Sequence, residues 1–81
     1  IIHVAVAEKY RRMGVGKALM QGIISVAAER DIQDLTLEVR ESNQAAIHLY
    51  SSFGFISAGI RKNFYEKPRE NAVIMWKKDV K

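Results

Sequence analysis

Between residues 4 and 27 the sequence passes from a β-branched run, through a basic turn with two glycines, into an apolar three-four repeat. The run Ile1-Ile2-His3-Val4-Ala5-Val6 reads as a strand, and residues 7–12 as a polar turn. Gly14-Val15-Gly16 then opens a helix, in which Val15, Ala18, Leu19, Ile23, Val26 and Ala27 share one face. Gly22 falls on that face, where it would permit close packing on a sheet, and Arg30 in the last turn suits the negative end of the helix dipole. A chain that leaves a strand through a glycine turn and enters a helix at once is committed to a strand–helix crossover and so to an α/β fold.

The rest of the chain extends this pattern. After a short loop at 31–34, Leu35-Thr36-Leu37-Glu38-Val39-Arg40 alternates strictly. As a strand it sends Leu35, Leu37 and Val39 to one face and Thr36, Glu38 and Arg40 to the other. Ser42 or Asn43 can cap a second helix, from Gln44 to about Phe53, which stops at Gly54 as a left-handed C-cap. Residues 55–60 read as a strand, 61–71 as a long polar loop with Phe64, Tyr65 and Pro68, and 72–77 as a last strand. The order β-α-β-α-β-loop-β predicts a mixed sheet with flanking helices and an antiparallel end.

Eighty-one residues allow one domain at most and lie near the lower limit for an independent core. The β-branched start suggests a fragment, the C-terminal part of a larger single domain spanning 1–81 here. An incomplete domain would leave an open sheet edge. Without cysteine there is no disulfide framework and no thiolate metal site, and two distant histidines, His3 and His48, make no metal cluster. Both histidines read as structural or exposed. No apolar run approaches the ~18 residues of a membrane span, and no targeting segment is visible. A cytoplasmic setting is the default. The net charge of +4 favours an anionic partner, but no basic stripe with interleaved aromatics supports nucleic acid. A homodimer is left open.

The glycine turn carries the most chemistry. A helix start leaves backbone N–H groups without intrahelical partners, the macrodipole adds about half a positive charge, and glycines let a ligand approach the backbone. Together these make a phosphate cradle. It is not a Walker loop, because Arg11 stands where the first glycine belongs and Ala18 follows Lys17. Nor is it the dinucleotide fingerprint, because Leu19 takes the third glycine position. What remains is Arg11-x-x-Gly14-x-Gly16. A plain strand-to-helix turn is the alternative reading, but two glycines at a helix start cost stability without a ligand.

That pattern resembles the acetyl-coenzyme A pyrophosphate loop of the GCN5-related N-acetyltransferases. Val4-Ala5-Val6 before it strengthens the likeness, as do Leu37-Glu38-Val39-Arg40-Glu41-Ser42-Asn43, Leu49-Tyr50 and Gly54-Phe55 after it. Within the superfamily the chain is most similar to the RimI-like protein N-terminal acetyltransferases, over nearly its whole length. The resemblance implies the acyl-CoA N-acyltransferase fold, without its N-terminal strands and helices, and acetyl-CoA as co-substrate with no metal. It implies a cofactor site made of the backbone of Val4, Ala5 and Val6, the loop Arg11, Arg12, Met13, Gly14, Val15, Gly16 and Lys17, and Asn43 on the pantetheine arm. As a helix cap, Asn43 needs no ligand.

Acetyl transfer needs a neutral amine and a proton for the departing thiolate. An α-amino group has a pKa of ~8, so a weak base suffices at neutral pH. The resemblance implies Glu38 as that base, acting through water, and Tyr50 as the acid near the sulfur. From the residues alone, Glu38 is equally a solvent-facing or ion-paired strand residue. Tyr50 is equally a core aromatic beside Ala46, Ile47 and Phe53. Residues 61–66 resemble the loop that closes over the acceptor peptide, where Tyr65 would hydrogen-bond a peptide backbone. A hairpin with surface aromatics is the other reading. Trp76 is expected to cover the end of the sheet.

The expected acceptor is the α-amino group of a protein N-terminus, a ribosomal protein among the candidates. A polyamine or aminoglycoside is the alternative within the enzyme class, and a non-catalytic coenzyme A-binding module the alternative outside it.

Overall fold

A computed structural model of the chain describes residues 2–4 and 15–79. The elements are β1 (Ile2–Val4), α1 (Val15–Glu29), β2 (Leu35–Arg40), α2 (Gln44–Ser52), β3 (Ile56–Tyr65) and β4 (Glu70–Lys77). They form one four-stranded sheet in the order β1-β2-β4-β3. β1 runs parallel to β2, while β2–β4 and β3–β4 are antiparallel. This is the mixed sheet with an antiparallel end that the element order predicts. Of the expected strand at 1–6, Ile2–Val4 is described; Ala5, Val6 and the turn through Gly14 lie outside the described residues.

β2 organises the core. Leu35, Leu37 and Val39 are buried while Thr36, Glu38 and Arg40 are partly exposed, as the alternation requires. Register carries the faces across the sheet: Leu37 pairs with Met75 and Val39 with Val73 on the core side, Glu38 with Ile74 and Arg40 with Ala72 on the other. Met20, Ala27, Ala46, Tyr50 and Phe55 complete the core cluster, so both helices contribute to the side of Leu35, Leu37 and Val39. Burial of each large aliphatic side chain is worth about 1.5–3 kcal/mol.

Helix α1 uses a different stripe from the one its apolar spacing suggested. Met20 and Ala27 are buried and Ile23 and Ile24 partly so, an i, i+3, i+4, i+7 set. Ala18 is exposed, as are Leu19 and Val26 at 40% and 48%. A Cβ placed on Gly22 would meet nothing within 4 Å, so the position does not serve close packing on the sheet. The cause is composition: α1 is apolar around most of its circumference, and the sheet covers one of two possible stripes. The other lines an open apolar groove of about 570 Å³ with Ile32 and Leu35. Arg30 lies just beyond the helix, its amide donating to the Val26 carbonyl (3.0 Å).

Helix α2 is capped at both ends. Asn43 Oδ1 accepts from the Ala46 amide at 3.1 Å. The Gly54 and Phe55 amides donate back to Ser51 and Tyr50, both at 3.0 Å. Gly54 has φ +93°, so the left-handed stop expected there forms, as a Schellman motif with Tyr50 and Phe55 ring centroids 6.0 Å apart. Lys77 Nζ adds a bond to the Phe53 carbonyl at 2.6 Å.

The polar loop expected at 61–71 is largely strand. β3 runs on to Tyr65, β4 begins at Glu70, and four residues, 66–69, connect them. Arg61, Lys62 and Asn63 stay in β3 through a bulge between Arg61 and Tyr65. There Asn63 takes φ +54° and its amide donates to Asn71 Oδ1 at 3.0 Å. Asparagine tolerates that conformation, so a polar run that reads as loop serves as an irregular strand.

Candidate active site

The sheet face opposite the core carries the chemistry. His3 pairs with Thr36 across β1–β2, and Arg61 pairs with Ala72 across β3–β4. Both side chains converge on Glu38, His3 from the adjacent strand β1 and Arg61 from β3, which lies beyond β4. His3 Nε2 stands 2.9 Å from Glu38 Oε1 and Arg61 Nη1 2.8 Å from Oε2. The Glu38 side chain is only 9% exposed, against 53% for His3 and 59% for Arg61. Together with Thr36, Phe64, Ile74 and Trp76 they line an open cleft of about 560 Å³. Trp76 contributes to this cleft wall from β4, a central strand. The Arg61 guanidinium also lies 4.9 Å from the Phe64 ring centroid.

Two residues further along β2, Arg40 secures the β3–β4 turn. Its Nη1 donates to the Pro68 carbonyl at 3.0 Å and to Glu70 Oε1 at 3.3 Å, and its Nη2 to the Glu66 carbonyl at 3.3 Å. Glu70 Oε2 accepts from the Ser42 amide at 2.6 Å. Hydrogen bonds from Ser42, with Arg40 adding to them, hold the Glu70 carboxyl below its ordinary 4.5. Tyr65 packs beside this cluster and meets Phe64 edge-on, with ring centroids 5.0 Å apart.

Tyr50 lies elsewhere. It is 2% exposed and belongs to the core cluster with Leu35, Leu37 and Val39, on the other side of β2 from Glu38. The two residues expected to act as base and acid therefore lie on opposite sides of the sheet, Glu38 on β2 and Tyr50 on α2. Asn43 spends its carbonyl oxygen on the cap. Val4 is buried in the core cluster and pairs with Leu37. Ala5, Val6, Arg11, Arg12, Met13 and Gly14 lie outside the described residues. Val15 and Gly16 begin α1, whose first turn holds no acidic side chain, and Lys17 is exposed there. That end of the helix suits an anion. Among the described residues no group of His, Asp and Glu is arranged to hold a metal.

Sequence reasoning found Glu38 but missed its two partners. Their convergence depends on pairing between strands distant in sequence, and Arg61 sat in a segment read as loop. The available signal was the alternation of β1, which puts His3 opposite to Val4.

A parallel β–α–β unit, followed by a second helix and an antiparallel pair, with an acidic side chain on the open face of the second strand, suits an acyltransferase scaffold. The model of the Acetyltransferase (GNAT) family matches residues 1–55, and the chain belongs to that family. It is 46% identical over 77 residues to the [ribosomal protein bS18]-alanine N-acetyltransferase of Escherichia coli K12, an alignment covering 93% of this chain and 52% of the relative. The crystal structure of the ribosomal-protein-S18-alanine N-acetyltransferase from Escherichia coli superposes with a TM-score of 0.78 at 45% identity, over 93% of this chain and 50% of that one. Ard1 from Thermoplasma volcanium gives 0.77 at 38% identity, over 100% and 54%. The chain spans about half the length of the curated relatives it matches.

Proposed function

We propose that the protein transfers an acetyl group from acetyl-CoA to the α-amino group of a protein N-terminus, a ribosomal protein being the first candidate. The observation that carries this reading is the Glu38 carboxylate, held by His3 and Arg61 over an open cleft. The likeness to alanine N-acetyltransferases of ribosomal protein bS18 supports the acceptor class.

Acetyl-CoA supplies an activated acyl carbon. The amine nitrogen bonds to that carbon as the carbon–sulfur bond breaks, the amine loses a proton and the thiolate gains one. The carboxylate of Glu38 provides the base of the site, through water. Tyr50 gives its hydroxyl proton to the thiolate. The turn from Arg11 to Lys17 cradles the pyrophosphate, with the strand from Val4 to Val6 and Asn43 along the pantetheine arm. Tyr65 and the β3–β4 turn hold the acceptor backbone. Orientation of the two substrates supplies most of the acceleration. The setting is cytoplasmic; no described helix is long and apolar enough to cross a membrane.

Calorimetric titration with acetyl-CoA, beside a Gly14→Glu variant, tests the cradle. The reading expects binding by the unsubstituted protein and its loss when a carboxylate enters the turn. Equal binding by both removes the Arg11–Lys17 turn from the cofactor site.

A further inference from the structure

The Glu38 carboxylate is enclosed between two donors. Its side chain is 9% exposed and both of its oxygens already face donors, Oε1 toward His3 Nε2 and Oε2 toward Arg61. Arginine stays protonated at any working pH and accepts nothing. His3 differs on each count. Its ring is 53% exposed and reaches the cleft. Its contact to Glu38 uses Nε2 alone, and among the described residues Nδ1 has no protein partner. A short Nε2–Oε1 contact to a carboxylate fixes the neutral ring as the Nε2–H tautomer, which leaves the Nδ1 lone pair as the proton-accepting position.

We propose that the base of the site is a carboxylate–imidazole pair, and that the proton leaving the acceptor amine comes to rest on Nδ1 of His3. The inference rests on the acetyltransferase reading above and deepens it. As the amine nitrogen bonds to the acyl carbon, an intervening water takes its proton and passes one to Nδ1. The ring then carries protons on both nitrogens, and Glu38 stabilises the resulting charge through Nε2–H without becoming protonated. This is the division of labour in a serine hydrolase triad, where a buried carboxylate orients the imidazole that does the proton transfer. The exposed ring edge returns the proton to solvent. Arg61 keeps the Glu38 carboxylate aimed from the third strand. The charged groups facing His3 are Glu38 from β2 and, across that carboxylate, Arg61 from β3. Glu38 is thus the positioning residue of the pair, and His3, acting through water, receives the proton.

Steady-state acetylation of a peptide with an N-terminal alanine tests this, with acetyl-CoA affinity measured in parallel. His3→Gln keeps a polar side chain but accepts no proton. Its kcat is expected to fall about 10²-fold, the scale of a lost general base, with acetyl-CoA affinity unchanged. His3→Ala is expected to fall similarly and to recover with added imidazole, which a packing role would not produce. In a double-mutant cycle, His3→Gln combined with Glu38→Gln is expected to be no slower than the slower single variant, because the two act as one unit. Wild-type kcat in His3→Gln overturns the pair while leaving the acetyltransferase reading intact, and so does a loss in folded His3→Ala that imidazole does not restore. Absence of acetyl transfer by the unsubstituted protein overturns both.

Discussion

The Arg40 guanidinium lies 4.4 Å from the centroid of the Tyr65 ring and hydrogen-bonds the Pro68 and Glu66 carbonyls of the adjoining turn. One side chain on β2 therefore fixes both the turn between β3 and β4 and the aromatic residue proposed to meet the acceptor. Arg40→Lys keeps the charge but loses the planar fork that reaches several oxygens while stacking on a ring. The peptide KM is expected to rise about tenfold, a cost near 1.4 kcal/mol, with kcat and acetyl-CoA affinity close to wild type. A fall in kcat at unchanged KM would assign Arg40 to the chemistry.

Glu70 contributes to the acid side of the stability curve. Ser42, and secondarily Arg40, hold its folded pKa below the ordinary 4.5. A carboxylate depressed in the folded state contributes stability that is fully present above its unfolded pKa and is lost as pH falls through the folded one. Stability measured in urea should thus decline below about pH 4.5. Glu70→Gln should flatten part of that decline while lowering stability at pH 7. Parallel curves for the two proteins would show that the Ser42 and Arg40 contacts do not outlast the screening of water.

Tyr50 and Glu38 occupy opposite faces of the sheet, which makes the hydroxyl of Tyr50 the informative group. Tyr50→Phe retains the ring that packs on Phe55 and the core. If the hydroxyl protonates the thiolate, kcat should drop by about tenfold or more with thermal stability nearly unchanged. A stopped assay with acetyl-CoA and peptide decides. Undiminished kcat would make Tyr50 a core residue alone.

Gly54 tests the stop signal of α2. At φ +93° a Cβ is strained, and it would also sit 2.7 Å from Lys77 Nζ, the far end of a flexible chain. Gly54→Ala should cost about 1–2 kcal/mol by chemical denaturation, mostly from the backbone. Loss of the Lys77 bond to the Phe53 carbonyl would add to it. An unchanged midpoint would mean that the cap relaxes into another turn.

Much of this molecule is legible in local pattern. The alternation of Leu35 to Arg40 gave both faces of β2, and with them the placement of Glu38. The Asn43 cap and the Gly54 stop bounded α2 to within a residue. Legibility failed where the decisive contact was non-local or the local signal degenerate. α1 offers two apolar stripes, and only the sheet selects Met20, Ile23, Ile24 and Ala27. The Arg61-Lys62-Asn63 run is exposed, with Arg61 at the cleft and Asn63 in the bulge, so it resembles a loop until β4 pairs with β3. His3 looked like an isolated histidine because its partner lies two strand positions beyond its register mate, Thr36, on another element.

The proposed reaction is acetyl transfer from acetyl-CoA to protein N-termini. Its most direct test offers acetyl-CoA with a peptide bearing both an N-terminal alanine and an internal lysine, and maps the modified nitrogen by fragmentation mass spectrometry. A single acetyl group on the α-amino nitrogen is expected, and none when that nitrogen is blocked. Acetylation of lysine alone, or of a polyamine in preference to the peptide, would contradict it.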